Sequence, residues 1–176
     1  MGTLAQDDLQ QYANVVNGTQ SFPPSANMKI LFTSQYEGKV YSKGRPRFSS
    51  SGRAYTPATT RKFEKVLVEY FIKRRDGIIM CPMHIKLIVY DKIPKAFTKL
   101  ERQLAMHRFI FSATGDLADN KVKSILDAGN GVLYADDSQI SSVNYNRLYH
   151  DFEGFYLEIR RAGLSPAEAH NVGNLL

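Results

Sequence analysis

The sequence predicts an α/β or α+β fold, in which helices pack on a single mixed β-sheet. Segments with strand character and segments with helical periodicity follow one another in the order strand, helix, strand, helix, strand, strand. The chain has 176 residues, of which 43% are hydrophobic, and this is enough for one core but short for two. We therefore expect one globular domain.

The two ends of the chain differ in composition from its middle. Residues 1–27 contain no Lys or Arg and end in SFPPSAN, which predicts a flexible leader. Residues 163–176 are small and polar, which predicts a tail that frays. The domain itself is predicted to span residues 28–162.

Cysteine usage and hydropathy indicate where the protein works. The single cysteine, Cys81, excludes an internal disulfide. No stretch approaches the ~20 apolar residues of a membrane span, and the first residues lack the features of a secretory signal. We therefore expect a cytoplasmic protein without a membrane partner.

The first half of the domain predicts a strand, a basic loop, a helix and a second strand. MKILFTS at 28–34 is apolar enough for a buried strand, and KGRPRFSSSGRAYTP at 43–57 reads as a loop or loose edge segment. TPATTRKFEKVLVEYFIKRR begins with a Thr-Pro helix start. Its predicted inward-facing residues are Phe63, Val66, Leu67, Tyr70 and Phe71. IIMCPMHIKLIVYD alternates as a strand does, with Pro82 at an edge or bulge near its start.

The second half predicts a short helix, a longer helix and two strands. Residues 92–114 hold a helix-like piece followed by a loop. DNKVKSILDAGNG predicts a helix that turns Val122, Ile125 and Leu126 inward and stops at Asn130-Gly131. QISSVNYNRLY and FEGFYLEIRR predict two strands that pair as antiparallel neighbours across the YHD turn.

Three aspartates flank the longer predicted helix. Asp116 and Asp119 lie just before it, and Asp137 follows a chain reversal, so the three carboxylates can converge. Converging carboxylates disfavour joint ionisation unless a cation lies between them, and Mg²⁺ or Mn²⁺ prefers oxygen ligands. Lys123, four residues after Asp119, shares its helix face and can stabilise charge on a phosphate.

A structural explanation of the same residues stays open. Asp119 can cap the helix, and Asp119, Lys123 and Asp127 can form an exposed ion-pair stripe at four-residue spacing. Asp136 and Asp137 can fill a turn. Spacing alone therefore does not choose between a metal site and ordinary helix and turn chemistry.

Cations are concentrated in two segments of the chain. Between residues 43 and 65 seven cations accompany one acid, Glu64, and a second run extends from Lys92 to Arg108. A formal net charge of +6 favours a polyanionic partner. One Arg guanidinium can donate two parallel hydrogen bonds to the oxygens of a phosphate. Incidental charge on a solvated loop is the alternative. The predicted nucleic-acid contacts are Lys43, Arg45, Arg47, Arg53, Arg61, Lys99, Arg102 and Arg108.

A family resemblance favours the metal site. DNKVKSILDAGNGVLYADDSQI is similar to the signature of the RusA family of Holliday junction resolvases, which runs approximately D-x-D-N-x-x-K, then L-D-A-L-N-G, then D-D-x-Q. KGRPRF, YTPATTRKFE and PKAFTKLERQ resemble upstream segments of the family, so the likeness spans about residues 28–161. The combined pattern implies a RusA-like fold and a phage or prophage-type member.

Carried over by position, the resemblance implies metal-binding aspartates at Asp119 and Asp137 and a catalytic lysine at Lys123. Asp136 would have a lesser role, and Asn120 would orient a ligand. The first aspartate departs from the pattern: Asp116 precedes Asp119 by three positions instead of two. Either the loop bulges and Asp116 still binds the metal, which we favour, or the site has two carboxylates.

The activity that the resemblance implies is a Mg²⁺-dependent endodeoxyribonuclease of recombination and repair. It would be a homodimer that nicks four-way and other branched DNA symmetrically in the cytoplasm of a bacterial or phage-infected cell, without a small-molecule cofactor. Two alternatives stay open: a non-catalytic branched-DNA-binding protein with a degenerate metal site, and a metal-dependent phosphohydrolase that acts on nucleotides.

Overall fold

The structure is a computed structural model that describes residues 29–43, 47–48, 54–55, 57–112, 118–164 and 166–173, together with Gln10 and Asn14. Its elements in chain order are β1 (Ile30–Glu37), β2 (Arg47–Phe48), β3 (Ala54–Tyr55), α1 (Ala58–Ile72), β4 (Met83–Lys92), α2 (Lys99–Met106), α3 (Ala118–Gly129), a 3-10 helix (Asp137–Gln139), β5 (Ile140–His150), β6 (Gly154–Arg161) and α4 (Pro166–Gly173). Each strand and helix predicted within 28–162 is present. Apart from Gln10 and Asn14, the predicted leader lies outside the described residues. No helix in these ranges is long and apolar enough to span a membrane.

A four-stranded mixed sheet lies at the centre of the described structure, in the order β1-β6-β4-β5. Strand β6 pairs antiparallel with both β1 and β4, whereas β4 and β5 run parallel. This arrangement confirms the predicted single mixed sheet. Strands β2 and β3, within the predicted basic loop, form a separate ladder in which Arg47 lies opposite Tyr55.

The predicted pairing of the last two strands is wrong, because β4 lies between β5 and β6. Six of the eight residues of β6 are buried, as expected for an inner strand with a partner on each side. Strand β5 has four consecutive exposed residues, 141–144, which suits the edge of a sheet. Alternation in the sequence identified both strands but did not specify their neighbours.

Helix α1 packs its apolar stripe on the sheet. Phe63, Leu67 and Phe71 recur every four residues and are buried, because side chains at i and i+4 share one helix face. Phe71 lies edge-on to Phe32 of β1, with ring centroids 6.2 Å apart. Val66, predicted to face inward, is 48% exposed because it lies outside this repeat, on the flank of the stripe.

Strand β4 separates the two faces of the sheet by strict alternation. Its buried residues are Met83, Ile85, Leu87 and Val89. Pro82 directly precedes the strand, and the register with β5 shifts between Met83 and His84. The predicted bulge is therefore present, whereas the alternative of an edge strand is excluded because β4 is an inner strand.

Within the predicted tail, residues 166–173 form a helix that packs on the domain instead of fraying. The described part of the predicted tail forms α4, in which Glu168 and Val172 are buried. Glu168 forms a buried ion pair with Arg161, the last residue of β6. The prediction of a frayed tail is wrong because one ion pair and one apolar side chain anchor a helix whose composition is otherwise small and polar.

Gly154, the first residue of β6, lies against the backbone of β1. It pairs with Glu37, and a Cβ at this position would lie 2.1 Å from the carbonyl oxygen of Tyr36. That separation is far below a van der Waals contact. The pairing of β1 with β6 therefore requires glycine here.

Candidate active site

Helix α3 carries the centre of the predicted motif. Asp119 lies in its first turn, and Lys123, one turn further along, has an exposed side chain. Asp116 lies outside the described residues, as does the side chain of Asp119. The convergence of these two carboxylates with Asp137 therefore stays a prediction.

Local hydrogen bonds give the adjacent Asp136 and Asp137 different roles. The Asp136 carboxylate accepts from the Ser138 backbone N–H at 2.9 Å, and the Gln139 side chain accepts from the Asp136 N–H at 3.0 Å. These two bonds belong to a capping box at the N-terminus of the 3-10 helix. The bonds from Ser138 lower the pKa of the Asp136 carboxyl. The Asp137 residue is exposed, and its carboxylate has no hydrogen-bond or ion-pair partner among the described residues. Of the pair, Asp137 is therefore the residue whose carboxylate can bind a cation without giving up a hydrogen bond.

The charge of Asp137 acts on a residue that contacts α3. Tyr134 is buried, and its hydroxyl donates to the carbonyl oxygen of Leu126 in α3 at 2.5 Å. Burial raises the pKa of Tyr134, and the negative charge of Asp137 raises it further. Tyr134 therefore lies between the charge of Asp137 and the C-terminal half of α3, to which its hydroxyl is hydrogen-bonded.

The start of the basic segment lies along α3. The Lys43 N–H donates to the Asn120 carbonyl oxygen at 2.9 Å, and Ser124 Oγ donates to the Tyr41 carbonyl oxygen at 2.8 Å. The Lys43 ammonium forms an ion pair with Asp127. Lys43, a predicted phosphate contact, is thus engaged with α3, and Asp127 pairs with Lys43 instead of extending the predicted stripe from Lys123.

A partly buried ion-pair cluster adjoins the first turn of α3, and sequence reasoning missed it. Asp91, near the end of β4, accepts from Lys121 Nζ and from Ser112 Oγ, each at 2.7 Å, and forms an ion pair with Arg147 of β5. Burial alone would raise the pKa of the Asp91 carboxyl, but the hydrogen bonds from Arg147, Lys121 and Ser112 outweigh it and lower that pKa. The three partners lie 21, 30 and 56 residues away in sequence, so no local pattern could have indicated the cluster.

Besides Lys43, the structure describes the side chains of four of the predicted nucleic-acid contacts, and these lie on or just beyond α1 and α2. Arg61 is exposed in the first turn of α1, and Lys99 and Arg102 are exposed on α2. The guanidinium of Arg102 also donates to the carbonyl oxygens of Pro94, Lys95 and Phe97, which fixes the turn before α2. Arg108 is exposed just beyond α2. Arg45, Arg53 and the side chain of Arg47 lie outside the described residues.

Exposed apolar side chains accompany the cations after α2, and sequence reasoning did not single them out. Met106, Phe109 and Phe111 are 45%, 75% and 60% exposed. Aromatic rings beside cations can stack on unpaired bases. This part of the surface therefore combines a cation with exposed apolar and aromatic side chains.

The described carboxylates do not by themselves form a metal site. No group of three or more His, Cys, Asp or Glu side chains that could hold a metal occurs within the described ranges. Two of the three predicted ligand side chains, those of Asp116 and Asp119, fall outside those ranges. Asp137 is the predicted ligand whose surroundings the structure describes.

Comparisons with known proteins agree with the sequence resemblance. Residues 37–160 match the model of the family described as endodeoxyribonuclease RusA. The chain is also 28% identical, over 120 residues, to the uncharacterized protein YqaN of Bacillus subtilis (strain 168). That alignment covers 65% of this chain and 84% of YqaN. The family match includes the whole segment from Asp116 to Asp137.

Proposed function

Because the chain belongs to the RusA endodeoxyribonuclease family, we propose that it is a metal-dependent, structure-selective nuclease that resolves four-way DNA junctions by paired symmetric nicks. The observation that carries the proposal is the family match, which extends across α3 and the 3-10 helix where the predicted site residues lie. The exposed Asp137 carboxylate, which has no hydrogen-bond or ion-pair partner among the described residues, supports it.

Oxygen ligands of the kind proposed here fit Mg²⁺ or Mn²⁺. Asp116, Asp119 and Asp137 would hold the ion, and Asp137 presents an exposed carboxylate with no competing partner among the described residues. When bound, such an ion activates water and neutralises charge on the scissile phosphate. Asp136 holds the turn that presents Asp137, and Lys123 would place a positive charge against the phosphate oxygens.

The distribution of exposed cations favours a large polyanionic substrate, such as branched DNA, instead of a single nucleotide. Exposed cations lie in the first turn of α1 and on and just beyond α2, and a small substrate would contact few of them. A two-fold homodimer would present two such surfaces and two sites, which matches the two-fold symmetry of a four-way junction. Symmetric nicking of opposed strands follows from that geometry.

Nicking of a synthetic four-way junction tests the proposal. The protein should nick paired strands of the junction with Mg²⁺ or Mn²⁺, should not nick it in EDTA, and should act far more slowly on a linear duplex of the same sequence. Tight junction binding without any metal-dependent product would instead support a non-catalytic junction-binding protein. The three-residue spacing between Asp116 and Asp119 is the feature that favours this second candidate.

Arg61→Ala should weaken junction binding in a salt-dependent manner. Each lost phosphate contact lowers the slope of log Kd against log salt concentration by about 1. The matched control is Arg74→Ala, because Arg74 is an equally exposed arginine at the other end of α1, about 20 Å away, where it stacks on Tyr70. Titrations at several KCl concentrations measure both slopes. Equal slopes for the two variants would remove Arg61 from the interface.

A further inference from the structure

We propose that Asp91 is a positioning residue for the cleavage reaction. Its carboxylate holds the residues on either side of the segment that carries Asp116 and Asp119. The inference rests on the proposed nuclease function. Asp91 belongs to none of the motifs in the sequence, yet its side chain is only 16% exposed and accepts three side-chain hydrogen bonds. Removing a charged carboxylate from water costs free energy, which these three hydrogen bonds offset. A carboxylate held in this way indicates a structural role.

The two flanks are Ser112 and Lys121. Ser112 Oγ donates to Oδ2 of Asp91, and Lys121 Nζ donates to Oδ1. Residues 113–120, which include Asp116 and Asp119, lie between these two points of attachment. Because one carboxylate at the end of β4 holds both, the position of Ser112 relative to Lys121 is fixed.

The sheet itself holds Asp91 in place. Arg147 donates to Oδ2 from β5, and β5 is hydrogen-bonded along its length to β4, on which Asp91 lies. Both oxygens of Asp91 are therefore occupied by donors from this chain. Asp91 can position the predicted ligands, but it is not available as a metal ligand itself.

Loss of the Asp91 charge should release the flanks and leave two cations without their counter-charge. Asp91→Asn keeps the shape of the side chain but presents an amide N–H₂ to groups that are themselves donors. Because ligands would then be less well oriented, single-turnover nicking and Mn²⁺ affinity should each fall by about 10- to 100-fold. Junction affinity without a divalent ion should change by less than about threefold, because the Asp91 side chain is only 16% exposed and is not one of the exposed cations that would bind phosphates.

Glu168→Gln provides the matched control. Glu168 is also a buried carboxylate in an ion pair with an arginine, Arg161, and Arg161 lies opposite Met83 at the other end of β4. Both variants lose a buried charge, so both should lower the melting temperature. Only Asp91→Asn should accelerate amide exchange across residues 112–121, weaken Mn²⁺ binding and slow nicking.

The outcomes separate this inference from the proposed function. If Asp91→Asn nicks the junction and binds Mn²⁺ as Glu168→Gln does, the positioning role is overturned and the nuclease proposal stands. If the wild-type protein neither nicks the junction nor binds Mn²⁺, both fall together. Should Asp91→Asn fail to fold, Ser112→Ala releases one flank and leaves both ion pairs intact. Ser112→Ala should then show faster amide exchange across residues 112–121, weaker Mn²⁺ binding and slower nicking, each to a smaller extent than expected for Asp91→Asn. If all three quantities match those of the wild-type protein, the inference is refuted.

Discussion

Junction nicking by the Asp137→Asn variant is expected to fall by roughly 10³-fold, which corresponds to about 4 kcal/mol of transition-state stabilisation, while junction binding is retained. The substitution removes a proposed metal ligand and, with it, a negative charge that opposes DNA. Binding should therefore be unchanged or tighter. Single-turnover nicking with Mg²⁺ measures the first quantity, and a gel-shift titration in Ca²⁺ measures the second.

Asp136→Asn is the control for that experiment, since it changes the neighbouring residue in the same manner. The Asp136 carboxylate accepts the Ser138 N–H, and an asparagine Oδ1 can accept the same bond. Nicking by this variant should stay within about threefold of wild type. A wild-type rate for Asp137→Asn, or a large loss for Asp136→Asn instead, would show that the ligand has been assigned to the wrong aspartate.

The largest effect on stability is expected for Gly154→Ala. Its added Cβ would lie 2.1 Å from the Tyr36 carbonyl oxygen, and the obstacle is backbone that is itself held in the β1–β6 ladder. Either strand can move only by breaking ladder hydrogen bonds, so we expect a loss of about 3 kcal/mol in the free energy of unfolding, measured by urea denaturation. That loss is a large part of the stability of an ordinary domain.

Gly163→Ala separates the steric effect from the general effect of replacing glycine. A Cβ at Gly163 would meet nothing nearer than the Pro82 ring at 3.9 Å, an ordinary contact. This variant should unfold within about 1 kcal/mol of wild type. Equal stabilities for the two variants would mean that β1 and β6 do not approach as closely as described.

The features that sequence predicted correctly depend on local periodicity. Phe63, Leu67 and Phe71 repeat at four residues, and Ile85, Leu87 and Val89 at two, so each set identifies one face of its own element. The features that sequence missed depend on distant partners or on burial. The position of β6 between β1 and β4 is decided by strands far away in the chain, and the ion pair of Glu168 with Arg161, although only seven residues apart, depends on burial that no local pattern shows.

The candidate site shows the same division. The metal-binding role of Asp137 came from resemblance to a family, and the structure adds a physical contrast with Asp136, whose carboxylate caps the 3-10 helix. The cluster around Asp91 had no sequence signal, because each partner arrives from a different element. Asp116 and the side chain of Asp119 lie outside the described residues, so their part in the site remains a proposal.

The pairing of β1 with β6 has a consequence for biosynthesis. Ile30, near the start of the first strand, pairs with Arg160, near the end of the last, and β6 also supplies the antiparallel neighbour of β4. A nascent chain on the ribosome therefore lacks an inner strand until residues 154–161 have emerged from the exit tunnel. The sheet is accordingly completed only after β6 has emerged, so a truncated product that ends before β6 would expose the unpaired edges of β1 and β4 and become a substrate for chaperones and proteases.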